Sequence, residues 1–484
     1  METIIGRKKE LAEIQELYHS DKAEMLVIYG RRRIGKTFLV DESLKGRITF
    51  RHAGLSPVEK NGKNSLKAQL KHFHSSLKLH GCAESKVPLS WFDAFYLLAQ
   101  FLQSNDTGER QVVFLDELPW MDTPRSGFVT AFEGFWNTWA CHRSNFMLVV
   151  CGSANSWMLD NLIDSRGGLY GRATYEIRLS PFNLSECSEF YQSRGIMMSP
   201  YDMVQCYMML GGIPFYLNYL RKELSLAQNI SALFWGKSPR LRDEYQRLFS
   251  SIFDSPEEIM RIVKLLSKRQ MGYNRTGISQ ELHLNSGAVL SKRLKALVAS
   301  DFVSEYVPFG HSKKDVHYKR TDPFCLFCLR FVVGNSSDDD DYWTSICTSA
   351  SCTSWKGIAF EGVCFSHIKQ IKAALGIGGV SSQVSQWSTH GEGDERGAQV
   401  DMLISRNDNV VNMCEMKFYS NEFIVDKDYE ATIRHRISLL SDKLPKRYAI
   451  HPTAITTYGI KRNQYSDIFI RQLTIDALFT PVVD

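Results

Sequence analysis

Short apolar runs alternate with amphipathic stretches over residues 1–180, a pattern that predicts buried strands joined by helices in an α/β core. Met25, Leu26, Val27, Ile28 and Tyr29 form one such run, bounded by Gly30, and Phe38, Leu39 and Val40 resume with helical spacing after a glycine-containing turn. Ahead of it, Leu11, Ile14, Leu17 and Tyr18 mark one face of a helix over 8–18. Runs at 48–50, 111–115, 146–151 and 173–179 predict the remaining strands.

From 181 to 253 the pattern turns helical, with aromatic stripes such as Phe190 with Tyr191 and Phe215 with Tyr216 and Tyr219 that read as core. A break at Asp254, Ser255 and Pro256 opens a helix with Glu257 and Glu258 in its first turn. A short helix over 277–284 follows, then a longer one carrying Leu290, Leu294 and Leu297, then two strands at 302–307 and 316–319. Three helices and a hairpin tipped by Lys313 and Lys314 predict a winged helix-turn-helix. Its third helix, with Ser291, Lys292, Arg293 and Lys295 opposite the leucines, would enter a major groove while the wing touches phosphate. The polar run 334–341, with four consecutive aspartates, reads as a linker. The expected segments are therefore a core over 1–180, a helical lid over 181–253, a winged helix over 254–335 and a further α/β domain over 336–484.

The turn between the first strand and its helix is GxxxxGKT, a phosphate-binding loop. Gly30 and Gly35 let the backbone curl so that its N–H groups face a triphosphate, Lys36 reaches the β and γ phosphates, and Thr37 ligates Mg2+. Arg31, Arg32, Arg33, Ile34 and Phe38 complete the nucleotide-lining stretch. The run at 111–115 ends in Asp116 and Glu117, the acids a second phosphate-site strand needs: Asp116 to hold Mg2+ through water, Glu117 to polarise the attacking water. Ser153, where the 146–151 run ends, is placed to sense the γ phosphate, with Asn155 either sharing that role or capping the next helix. Arg172, just before the 173–179 strand, is a candidate finger for a neighbouring subunit's site; Arg166 competes for it.

Composition narrows this only a little. At 484 residues the chain exceeds one ordinary core, and no apolar run is long enough to cross a bilayer. The amino-terminal residues lack the pattern of a secretory signal, so the expected compartment is the cytoplasm. Eleven scattered cysteines, with one CxxC at Cys325 and Cys328, read as reduced core thiols. The net charge of +5 is uneven: residues 255–320 hold twelve Lys/Arg against six Asp/Glu, which suits an anionic partner such as double-stranded DNA.

Taken together, Ile5-Gly6-Arg7, the 30–37 loop, Leu115-Asp116-Glu117, Cys151-Gly152-Ser153, Leu169-Tyr170-Gly171-Arg172 and Gly211-Gly212-Ile213-Pro214 resemble the archaeal-type ATPase family, a branch close to the STAND group of AAA+ ATPases. The resemblance covers roughly the first half of the chain. It implies an ATP-hydrolysing P-loop core using ATP and Mg2+, with Gly6 and Arg7 near the adenine, and Gly212 and Pro214 starting a lid helix that senses nucleotide. A nucleotide-dependent homo-oligomer is a corresponding expectation.

In the last segment, a helix over 356–365 places Glu361 among apolar neighbours. If Asn407, Asp408 and Asn409 form a three-residue turn, Asp401 lies across from Glu415, and Lys417 shares that face. Two carboxylates and a lysine, with Glu361 completing the shell, are a candidate Mg2+ or Mn2+ site, and the set resembles the PD-(D/E)xK nuclease fold. Val400 stands where that motif often has proline. The whole therefore reads as an ATPase coupled to DNA docking and metal-dependent cleavage. The rival readings are a nucleotide-gated regulator with an inactive nuclease-like domain and a signalling scaffold.

Overall fold

The computed structural model describes residues 4–56, 65–82, 85–153, 156–163, 171–253, 255–285, 287–389 and 397–482. Asn155, Arg166, Leu169 and Tyr170 of the sequence reading lie outside them. The chain divides into two compact units: Met1–Pro181 with Leu248–Pro256 and Lys295–Asp301, and Phe182–Arg247 with Glu257–Leu294 and Phe302–Asp484. These units gather the four expected segments differently, for reasons that lie in the second unit's aromatic packing.

In the first unit, α1 (Lys8–Tyr18), β1 (Glu24–Gly30), α2 (Lys36–Ser43), β2 (Ile48–Ala53), α3 (Leu66–Leu79), α4 (Trp91–Ser104), β3 (Gln111–Asp116), α5 (Phe128–Thr138), β4 (Phe146–Ser153), the short α6 (Ser156–Met158) and β5 (Tyr175–Leu179) follow in order. The sheet runs β2-β3-β4-β1-β5 and every pairing is parallel. Parallel strands need cover on both faces, which explains why β3 and β4 are buried along their whole length. One face, through Met25, Val27, Val113, Leu115, Leu148 and Val150, packs on an aromatic cluster from α3, α4 and α5 that includes Phe73, Trp91, Phe95, Phe128 and Phe132. The order also separates β1 from β3 by one strand, so the glycine loop and the acidic strand end flank the tip of β4.

The second unit begins with α7 (Leu184–Ser193), α8 (Pro200–Leu210), α9 (Pro214–Leu217), α10 (Leu226–Phe234) and the first residues of α11 (Glu244–Ile252), which is counted with the first unit from Leu248 on. Gly212 ahead of α9 has no room for a side chain, since a Cβ would come within 1.8 Å of the Phe182 carbonyl oxygen. Next come α12 (Pro256–Leu266), β6 (Tyr273–Asn274), α13 (Arg275–Leu282), α14 (Ala288–Ala299, counted with the first unit from Lys295 on), β7 (Val303–Tyr306) and β8 (His317–Arg320), with the strands in an antiparallel β6-β8-β7 sheet. The third helix is less open than its sequence implied: Arg293 forms an ion pair with Glu258, and Arg275 donates to Ser291 at 2.9 Å.

Between α15 (Pro323–Phe327) and α16 (Tyr342–Ile346), the acidic run expected as a linker is tied back. Arg242 pairs with Asp338 at 3.0 Å, and Phe327 packs against Phe234, Trp235 and Trp343. The four aspartates themselves stay exposed, and the segment is held by aromatic burial on either side of them. This packing joins 323–346 to the helices of 182–247.

The remaining elements are α17 (Ala350–Ser366), α18 (Ile368–Ala374), β9 (Ser382–Thr389), β10 (Ala398–Arg406), β11 (Val410–Lys417), α19 (Lys427–Ser441), β12 (Ala449–Thr456) and β13 (Arg471–Thr474). The sheet order is β13-β12-β11-β10-β9: the β9, β10 and β11 pairings are antiparallel, and β12 and β13 add in parallel. Val400, Leu403, Val411 and Met413 pack with Ile433 and Leu440 of α19 on one face.

Candidate functional site

The loop after β1 takes its shape from residues that tolerate positive φ. Gly30 has φ 149° and Gly35 has φ 88°, and a Cβ on Gly30 would sit 2.2 Å from the Leu179 carbonyl oxygen. Gly35 caps α2, so the free N–H groups of that helix open onto the loop where anions are favoured. Lys36 is buried and donates to the carbonyl oxygens of Gly30 (3.2 Å) and Arg31 (3.0 Å). Burial pulls its ammonium below the usual lysine range, against the pull of Glu117 and Asp116.

Asp116 closes β3 and accepts from the Thr37 hydroxyl at 2.8 Å, so the two expected magnesium-site residues are in contact. A hydroxyl and a carboxylate beside a lysine and helix-end amides are the donor set a Mg2+–triphosphate requires, and the residues present fit that group. Glu117 follows in a left-handed conformation with φ 46°. Burial raises its carboxyl above the ordinary glutamate range, while Lys36 and the Ser153 backbone N–H hold it down. Ser153 lies beside Gly30 in the β1–β4 register. Four sequence-assigned residues, Lys36, Asp116, Glu117 and Ser153, are therefore gathered at one sheet edge.

Others stand elsewhere. Gly6 has φ 61°, and Arg7 donates to the Ser180 carbonyl at 2.5 Å, fastening the entry of α1. Phe38 is partly exposed, and Arg32 lies over the Trp120 ring at 5.5 Å. Pro214 opens α9 of the second unit. Arg172, the candidate finger for a neighbouring subunit's site, is exposed and precedes β5, whose Tyr175 pairs with Leu26. Because β5 runs parallel to β1, that position belongs to the amino edge of the sheet, opposite Gly30. A residue missed from sequence is Asp301, which pairs with Arg178 at 2.6 Å and faces Arg31 of the loop. No local motif announces it. A cavity of about 700 Å3 lined by Gln15, Glu24 and Tyr175 lies at the same amino edge and touches none of the loop residues.

A second cluster occupies the mixed sheet. The turn at 407–409 has Asn409 at φ 63°, and Met402 pairs with Cys414, so Asp401 and Glu415 take facing positions. Lys417 Nζ is 3.6 Å from Glu415. Glu415, almost wholly buried, is also ion-paired to Arg436 and accepts from the Tyr429 hydroxyl at 2.8 Å. Asp401 accepts from the Met416 backbone N–H at 3.2 Å. Burial and the Glu415 charge raise its carboxyl.

Glu361 on α17 is held by Gln270, whose Nε2 is 2.6 and 2.7 Å from its two oxygens, and Gln270 accepts in turn from Gln399 at 2.9 Å. Burial and Asp401 push Glu361 upward, and burial pulls the neighbouring Lys319 downward. Among the described residues Lys319 Nζ has no hydrogen-bond partner and lies over Phe365 at 4.2 Å.

The expected metal shell is not assembled. Among the described residues, Glu361, Asp401 and Glu415 do not bring their oxygens within 4.8 Å of one another. The physical reason is competition: Arg436 and Tyr429 take Glu415, and Gln270 takes Glu361. Sequence reasoning missed Gln270, Lys319, Tyr429 and Arg436, which reach the cluster from other elements.

Residues 4–220 match the model of a family described as an ATPase domain predominantly from Archaea. The chain carries an archaeal-type ATPase domain. The match spans the loop, the acidic strand end and the Gly212–Pro214 turn. Along most of its length the chain is similar to the uncharacterized protein MJECL04 of Methanocaldococcus jannaschii, 24% identical over 461 residues, 92% of this chain and 94% of that one. Over 43 residues it is 37% identical to the uncharacterized ATP-binding protein MJ0423 of the same organism, 9% of this chain and 73% of that one. The Walker-type ATPase PABY2304 of Pyrococcus abyssi aligns with a TM-score of 0.47 and 20% identity over 68% of this chain and 96% of its own. The archaeal-type ATPase domain has a parallel-sheet P-loop core, and among the described residues no helix is long and apolar enough to cross a membrane.

Proposed function

We propose that this archaeal-type ATPase binds and hydrolyses ATP with Mg2+, and that its nucleotide state sets the affinity of the 256–320 segment for double-stranded DNA. The observation that carries the reading is the contact of Thr37 with Asp116 beside Lys36 and Glu117 at one sheet edge. Thr37 and Asp116 would hold the ion, which neutralises phosphate charge when bound. Lys36 exchanges its two carbonyl partners for phosphate oxygens. Glu117 orients the attacking water and takes its proton, a task that needs the ionised carboxylate. Ser153, with its N–H on Glu117, positions that base.

The DNA reading rests on the three helices and hairpin and on the basic excess of 255–320. The C-terminal sheet serves as a nuclease-like scaffold whose carboxylates are occupied internally, so the protein acts as a nucleotide-gated DNA-binding regulator. Asp401 facing Glu415 beside Lys417 favours a second reading, in which cleavage follows release of those carboxylates. Plasmid incubated with the full chain, ATP and Mn2+ separates the two. The regulator leaves plasmid intact yet retards it in a salt-sensitive, nucleotide-dependent way. Cleavage lost in Asp401→Ala and Lys417→Ala establishes the nuclease, and no retardation at low salt overturns the DNA reading.

A further inference from the structure

The hairpin between β7 and β8 carries chemistry that none of the foregoing uses. His311, Asp315 and His317 each offer one ligand atom, and these atoms all lie within 4.8 Å of one another, the one such trio among the described residues. His311 Nδ1 is 2.5 Å from one Asp315 oxygen, and His317 Nε2 is 3.5 Å from the other. We propose that this trio binds a divalent transition-metal ion of the zinc class, which clips the hairpin loop to its own strand and to the start of α13.

Local structure holds the three donors in place. The His311 N–H donates to the Pro308 carbonyl and the Asp315 N–H to that of Ser312, so tight turns fix the loop on both sides of its tip. His317 opens β8 and is paired with Tyr306 on one side and Asn274 on the other. That register brings Asn274 Nδ2 within 3.2 Å of Asp315 Oδ1. Asn274 is itself fixed, because its Oδ1 caps α13 by accepting from the Gly277 N–H at 2.9 Å. A carboxylate ligand oriented by an immobilised amide is the outer-shell arrangement that metal sites use. The bond between His311 and Asp315 takes the place an ion would otherwise fill, since it draws together a ring nitrogen and an oxygen that share one cation readily.

Two imidazole nitrogens with one carboxylate oxygen suit Zn2+, Co2+ or Ni2+, whereas Mg2+ and Ca2+ favour all-oxygen shells. Three protein ligands leave a position for water. The ring of His311 is half exposed, Asp315 and His317 less so, which leaves a path for entry. An ion here also adds positive charge beside Lys313 and Lys314, so it strengthens any anionic contact this loop makes.

Titration of the full chain with Co2+ in the absence of nucleotide tests the site. One equivalent should give the strong visible absorption of a four-coordinate cobalt centre without a sulfur-to-cobalt charge-transfer band, and Zn2+ should abolish it. His311→Ala, a half-exposed change, should remove that equivalent, and Asn274→Ala should weaken binding about ten-fold. An identical spectrum and stoichiometry in His311→Ala overturns the proposal. So does a thiolate band, which would place the ion on one of the eleven cysteines.

Discussion

At the carboxyl edge of the parallel sheet, Lys36 rests on two backbone carbonyls and faces Asp116 and Glu117. In the mixed sheet, Lys417 and Lys319 face Glu361, Asp401 and Glu415; Gln270 engages Glu361, Tyr429 and Arg436 engage Glu415, and the Met416 N–H engages Asp401. Both places hold buried charge of both signs, but the partners differ in kind. The carbonyls of Gly30 and Arg31 are uncharged backbone groups, so a phosphate that takes the lysine leaves no side-chain charge unpaired there. In the second, Glu361 and Glu415 are held by other side chains, and withdrawing one of those strands a buried charge. The first arrangement suits a site that loads and empties; the second suits a structural lock.

That contrast is sharpest at Glu415. Arg436→Ala leaves its buried carboxylate with Tyr429 and Lys417 alone, and the expected loss is about 3–5 kcal/mol of stability in urea unfolding. A loss below about 1 kcal/mol, the range of an exposed pair, would remove the lock from the account.

Acid offers the next test. His367 is buried, donates through Nδ1 to the Val363 carbonyl and accepts at Nε2 from the Leu184 N–H; burial lowers its pKa to about 4. The unfolded chain therefore binds more protons, so the stability this histidine gives is complete above about pH 6.5 and falls through about pH 4, by about 3 kcal/mol in all. Unfolding midpoints measured across that window should show the slope, and His367→Phe should flatten it. An unchanged slope in the variant contradicts the assignment.

The smallest effect is expected at Gln270. Gln270→Ala takes the amide from both oxygens of Glu361, a loss of about 1–3 kcal/mol for a buried acceptor left unpaired. A neutral result in the same unfolding experiment means that water replaces the amide and that the cluster is more open than its geometry implies.

These two regions were not equally legible in the chain. The glycine loop is contiguous, its strand and helix flank it, and Asp116 with Glu117 ends an apolar run, so pattern and spacing alone placed them together. Asp401 and Glu415 were also readable, because a three-residue turn sets the register of a hairpin. What escaped was everything arriving from afar: Gln270 from the turn after α12, Lys319 from β8, Arg436 from α19, and Asp301 beside Arg178. No local period records such neighbours. Arg172 precedes a strand that runs parallel to β1, and strand direction alone assigns it to the edge of its own sheet away from the loop. The acidic run 338–341 looked like linker because four aspartates dominate its composition, while the aromatic residues on either side decide where it packs.

The direct test of the central claim is steady-state ATP turnover by the purified chain, with nucleotide binding followed in parallel. Lys36→Ala should lower turnover by about 10²–10³-fold, the scale of removing a charged transition-state partner. Glu117→Gln should bind ATP as the natural chain does while turnover falls to background. Unchanged turnover in either variant would contradict the assignment of this edge as the hydrolytic site.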